Sequence, residues 1–247
     1  VAWLARIPNR FGYDAQNGRF FLTKTAPASR LVPQHEVENQ LDFMRALGFQ
    51  SQDATLALHI PQEVEQSCAA KKQVCRLADD RYLVVCPCGR VRRRSLSVET
   101  TAAFIRGLSR VEEALPVYLI GGPQDQDYLM QIAQTAELSE NQVLAGTFSL
   151  QEIAVLLRDA ELLISVDTGP AHIAQAVHCP TVEIFSTGDP RIWGPRGAHD
   201  VVLREPRDPV TGELPATDCI ERISPERILA AVQDVLRQTI HMKKKGE

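Results

Sequence analysis

The sequence predicts an α/β fold, a Rossmann-like parallel sheet with helices packed on its faces. Three observations carry this. Short apolar runs alternate with amphipathic helical patterns from residue 79 to about 205, the βα repeat that builds a parallel sheet with right-handed crossovers. One run, LLISV at 162–166, is apolar at nearly every position, as a strand buried on both faces requires. It ends in Asp167-Thr168-Gly169-Pro170. There Thr168 can cap a helix through its hydroxyl, Gly169 leaves the backbone without a Cβ, and Pro170 suits the first helical turn.

Composition bounds the answer. The chain has 247 residues, 44% hydrophobic and 23% charged, an ordinary globular balance with room for one large or two modest domains. A net charge of −4 argues against general nucleic-acid binding. No run approaches the ~18 apolar residues of a membrane span. Of the six cysteines, Cys86 and Cys88 flank a single Pro87, and no pairs stand at zinc-ribbon spacing. Reduced thiols in a cytoplasmic protein, with no metal, are the expectation.

Taken in order, residues 1–78 read as a first block. A mixed run at 2–7 leads into a turn-like segment at 8–13. A helix is expected over 35–47, with Val37, Leu41, Met44 and Leu47 at helical spacing and Gly48 as its stop. Residues 56–60 read as a strand and 61–76 as a helix. The block holds too few strands for a complete Rossmann-type half. The second block, 79–223, begins with a strand at 82–86 and a turn at Pro87-Cys88-Gly89. A helix at 97–113 and a strand at 117–120 follow. Then come helix 127–138, a short strand at 143–144 and a helix from 149 to about 160. Ser149 and Glu152 form a capping box at the start of that helix. After the 162–166 strand and its helix, strands are expected at 181–185 and 200–203, then a polar loop at 205–218. A closing helix starts at Ser224-Pro225-Glu226 and, with the lysines at 243–245, makes up a last block at 224–247.

In such sheets ligands bind beyond the carboxyl ends of the strands. The loops 87–94, 121–125, 146–149 and 167–172 should therefore converge, with a fifth at 186–197. A helix start at 168–170 aims free N–H groups and a positive dipole end at one point, where a phosphate or diphosphate fits. His172 could donate to a phosphate oxygen, whereas acidic Asp167 suits a sugar or ribose hydroxyl. On local chemistry an ordinary crossover with a capping Thr and a surface His explains the stretch equally well. Arg90, Arg92, Arg93 and Arg94 form a basic cluster that would stabilise charge building on a departing diphosphate. Asp125 could accept two ribose hydroxyls or complement a helix dipole. Phe148 is either a pocket wall or a core aromatic.

Asp167-Thr168-Gly169-Pro170-Ala171-His172-Ile173-Ala174, followed by Pro180, Phe185 and Gly194-Pro195, resembles the donor-site signature of the ADP-heptose:lipopolysaccharide heptosyltransferases, glycosyltransferase family 9. Arg6 to Tyr13, His35-Glu36-Val37 and Cys219-Ile220 with the Ser-Pro-Glu helix are also similar to family segments. The resemblance implies a GT-B fold, with part of a second Rossmann-like domain at 1–78 and the donor domain at 79–223. It implies inverting, metal-independent transfer of heptose from ADP-heptose to a lipopolysaccharide inner-core acceptor. That would be done by a cytoplasmic protein approaching the membrane peripherally, with no cofactor. It matches Arg94 to a family lysine that stabilises the leaving group, with Leu96 where the family carries Trp. The expected donor-binding residues are Asp167, Thr168, Gly169, Pro170, His172, Asp125, Phe148 and Gly89. The family's catalytic base, an early Asp, has no counterpart here, so the chain is expected to be the later part of a longer protein. Two further readings stay open: transfer from another nucleotide-sugar, and a catalytically silent binding module. A GxGxxG dinucleotide motif follows none of the strands.

Overall fold

The computed structural model describes residues 1–14, 16–26, 34–50, 53–77, 81–110, 114–205 and 220–243. In chain order the elements are β1 (Phe11–Tyr13), β2 (Lys24–Ala26), α1 (Glu36–Ala46), α2 (Gln62–Val74), β3 (Leu83–Cys86), α3 (Val98–Leu108), β4 (Val117–Leu119) and α4 (Gln126–Ala136). They continue with α5 (Leu150–Arg158), β5 (Leu162–Val166), α6 (Gly169–Ala176), β6 (Thr181–Phe185), α7 (Pro190–Trp193), β7 (Val201–Arg204) and α8 (Pro225–Lys243). The polar loop expected at 205–218 lies almost wholly outside the described residues, as do Cys219 and the side chains of the terminal lysines.

The chain forms two compact units, residues 1–55 with 191–193, and residues 56–190 with 194–247. In the first unit β1 and β2 pair in parallel, with Phe11 opposite Lys24. The turn expected at 8–13 is therefore a strand at its end, because a neighbouring segment satisfies its backbone. His35 caps α1, its Nδ1 accepting from the Val37 N–H at 3.2 Å.

The second unit is built on a five-stranded, all-parallel sheet in the order β4-β3-β5-β6-β7. The α/β class and parallel sheet read from the sequence are therefore present. Alternate residues of each strand feed two cores. Leu83, Val85, Ile164, Val182 and Ile184 meet α3, α4 and α8. Val84, Cys86 and Leu163 meet α2, α5 and α6. On the first face Gly107 of α3 lets α8 come close: a Cβ there would meet the Leu229 side chain at 2.6 Å. On the second, the Tyr82 hydroxyl donates to Leu156 O at 2.7 Å, while its ring sits edge-on to Tyr118. The helix α2, grouped by the sequence with the first block, packs here against α5.

Two expected strands are corrected. Residues 56–60 are irregular, with no pairing partner among the described residues; Ile60 packs against the second core, while Leu58 is exposed. Residues 143–144 make a single parallel bridge, Val143 to Leu119, because the chain turns at once toward α5. The last strand is Val201–Arg204, one residue later than expected, since the Asp200 side chain is used to accept from the Thr181 and Gly197 N–H groups.

Candidate functional site

The strand order reverses between β3 and β5, with β4 on one side and β6 and β7 on the other. Loops after β3 and β5 therefore run apart and leave a crevice at the carboxyl edge of the sheet. A cavity of about 450 Å³ opens there, lined from the β3 loop by Cys86, Cys88, Gly89 and Arg90 and from the β4 loop by residues 120–125. Phe148, Ser149 and Leu150 line it before α5, and Thr168 and Pro170 at the start of α6. Its wall is more apolar than polar, suited to a flat ring system with a few oriented polar groups.

The β5–α6 turn supplies the charged end. Asp167 is half-buried, and burial pushes its carboxyl above the ordinary carboxylate value, a rise opposed by the nearby His172 and Arg94. Three predicted residues from two loops thus act on one point. The Asp167 carboxylate has room only because residue 188 is glycine: a Cβ there would lie 2.6 Å from Oδ2. Gly169 is different. A Cβ on it would meet no protein atom within 4 Å, so packing does not demand a glycine, and the open space faces solvent. The capping role expected of Thr168 is corrected: its hydroxyl makes no capping bond to α6. First-turn N–H groups of α6 therefore have no side-chain cap and are open to an anion.

The arginines divide by role. Arg92 stacks on the Tyr128 ring, 3.6 Å from its centroid, with Asp125 at 3.9 Å and the Cys88 sulfur at 4.0 Å. It fastens the β3 loop to α4. Arg90 lines the cavity. Arg94 packs over Gly89, where a Cβ would meet Arg94 Cβ and carbonyl oxygen at 2.9 Å, and the Gly89 N–H donates to Ser95 Oγ. Gly89 therefore lets Arg94 lie across the β3 turn. Leu96, at the position expected of Trp, is buried in the core.

Asp125 and Phe148 both border the cavity. The Asp125 Oδ2 accepts from the Gly122 N–H at 3.0 Å, closing its own turn, while the residue lines the cavity. Phe148 is 9% exposed, packs in the second core, and still borders the cavity. Gly146 just before it has φ +64°, and a Cβ would strike the Pro123 ring at 2.8 Å, so this turn needs glycine to bring two cavity walls together.

The sequence missed two groups. Lys71 of α2 reaches Thr147 O at 3.0 Å and Glu152 Oε2 at 2.7 Å, a contact across 76 and 81 residues that leaves no local signal. Glu183 sits in the middle of β6 with no exposure. Its Oε1 accepts from Gln175 at 3.3 Å and its Oε2 is buried with no hydrogen-bond partner. Burial, then Asp200 and Asp167, push its carboxyl up to about 8. A lone acid inside TVEIF was the signal that could have found it.

Cys68, Cys75, Cys86, Cys88 and Cys179 are free. No helix among the described residues is long and apolar enough to cross a membrane.

A family model described as glycosyltransferase family 9 (heptosyltransferase) matches residues 1–220. The chain belongs to glycosyltransferase family 9. Among relatives of this family 9 chain, the lipopolysaccharide heptosyltransferase 3 of Escherichia coli is 37% identical over 81 residues, 32% of this chain and 24% of the relative. A second, from strain K12, is matched over 34% of its own length, so the chain's matches span a quarter to a third of these relatives. A family 9 glycosyl transferase from Veillonella parvula superposes with a TM-score of 0.79 at 22% identity, covering 96% of this chain and 70% of that one. The E. coli ADP-heptose lps heptosyltransferase II superposes at 0.75 and 19%, covering 96% and 72%. These likenesses show the fold, the GT-B type that the sequence resemblance implied.

Proposed function

We propose that this chain is the donor-binding part of an inverting heptosyltransferase, which transfers heptose from ADP-heptose to a lipopolysaccharide inner-core hydroxyl. The observation that carries the reading is the convergence of Arg94, Asp167 and His172 beside a cavity at the strand-order reversal. The adenosine lies in the apolar cavity against Phe148, with its ribose near Asp125. The diphosphate faces the first turn of α6 and His172. Asp167, acidic and set beside Arg94, takes a sugar hydroxyl rather than phosphate. Arg94 stabilises the charge that grows on ADP as the bond to the anomeric carbon breaks, which lowers the barrier because that charge is larger in the transition state.

Neither a residue nor a metal is assigned the acceptor-activation step. The setting is cytoplasmic, with a peripheral approach to the membrane that carries the acceptor. The relatives are named as lipopolysaccharide heptosyltransferases and one structural neighbour as an ADP-heptose enzyme, which supports the choice of sugar and nucleotide.

Asp167→Ala and His172→Ala test the site. Each should raise the Kd for ADP-heptose by about tenfold or more, the loss of a charge-assisted hydrogen bond. Thermal midpoints should stay near wild type, since neither side chain packs in the core. Unaltered affinity in both variants would overturn the assignment.

A further inference from the structure

The cavity wall that carries Phe148 is held from outside the βα unit it belongs to. Lys71 of α2 donates to Thr147 O at 3.0 Å and to Glu152 Oε2 at 2.7 Å, and its ammonium lies 5.9 Å from the centre of the Phe148 ring. Glu152 also accepts from Ser67 Oγ and from the Ser149 N–H, each at 2.7 Å. Residues 147–149 are thus gripped on their carbonyl side by Lys71 and on their N–H side by Glu152. The same α2 face is seated on α5 by Lys72 with Asp159 and by Glu65 with Arg158, both at 2.6 Å.

We propose that Lys71 is a positioning residue of the nucleotide pocket, fixing the Phe148 wall against which the base packs and so governing affinity for the base rather than for the diphosphate. The inference rests on the nucleotide reading of the cavity given above. Three features separate this role from a structural one. The α5 cap does not depend on Lys71, because Glu152 keeps its bonds to Ser67 and Ser149 without it. The Lys71 side chain is 40% exposed, so its loss opens no hole in the core. Neither of its hydrogen-bond partners belongs to the β5–α6 turn that would hold phosphate. What Lys71 alone supplies is the anchor on the Thr147 carbonyl and a cation beside the Phe148 ring, which fixes the tilt of that ring.

The test is calorimetric titration of the 247-residue chain with ADP, and displacement of ADP by inorganic pyrophosphate, for wild type, Lys71→Met and Lys71→Arg. Lys71→Met should raise the Kd for ADP about tenfold while that for pyrophosphate stays within about twofold, and Lys71→Arg should recover most of the loss. Unchanged ADP affinity in Lys71→Met, or equal losses for ADP and pyrophosphate, would overturn the positioning role while leaving the site assignment standing. A wild-type chain that binds no ADP would overturn the nucleotide reading and the inference with it.

Discussion

Asp167 and Gly89 show how single residues make this site. Asp167 carries its carboxylate into a half-buried turn, and the cost of burial is partly offset by His172 and Arg94. Gly89 is there because a Cβ on it would meet Arg94 at 2.9 Å. Gly89→Ala should therefore act twice. Overpacking at backbone contact distance should cost about 1–3 kcal/mol of stability in a urea melt. Shifting Arg94 should also weaken ADP-heptose binding beyond what the stability loss explains. A Gly89→Ala protein with wild-type stability and affinity would show that Arg94 is not held by this turn. The residues that were legible in the sequence are the contiguous ones. Asp167 to His172 announce themselves because strand end, turn and helix start follow one another along the chain. Lys71 was invisible, since its meaning lies in a carbonyl 76 residues away. Thr168 misled: a threonine before a helix favours a cap, but here its hydroxyl makes no capping bond.

At the scale of elements, β6 holds a tension its neighbours do not relieve. Glu183 pairs across the ladder with Ser165 and Val202, sits among apolar neighbours, and has one oxygen with no hydrogen-bond partner. Its proton is kept in the fold up to about pH 8, whereas the unfolded chain releases it near 4.5. The resulting stabilisation is complete below pH 4.5, declines as pH rises through that window, and is gone above about 8. Glu183→Gln, which keeps the shape and removes the titration, should raise the melting temperature over wild type at pH 8 and leave it little changed at pH 4. An equal gain at both pH values would contradict a buried neutral acid. Elements with strong periodicity or caps, such as α3, α5 and β5, were readable because local chemistry and final burial agree. Residues 56–60 and 143–144 were not. Their apolar residues look strand-like, but whether a strand forms depends on a free neighbour in the sheet, which a local pattern does not contain.

For the whole molecule, the sheet order β4-β3-β5-β6-β7 decides where chemistry can occur. Helix–strand alternation made the parallel sheet readable, and the rule that ligands lie beyond strand ends gave the converging loops. The order itself could not be read from the alternation, and with it the crevice between β3 and β5 that gathers Gly89, Arg94, Asp167 and His172. Membership of glycosyltransferase family 9 over residues 1–220 fits that placement. On the proposed function, this crevice takes an adenosine diphosphate-sugar. Calorimetric titration of the unaltered chain with ADP, UDP and GDP tests it most directly. ADP should bind saturably, with an affinity at least about tenfold above the other two. Selective binding of UDP or GDP, or binding of none of the three, would contradict it.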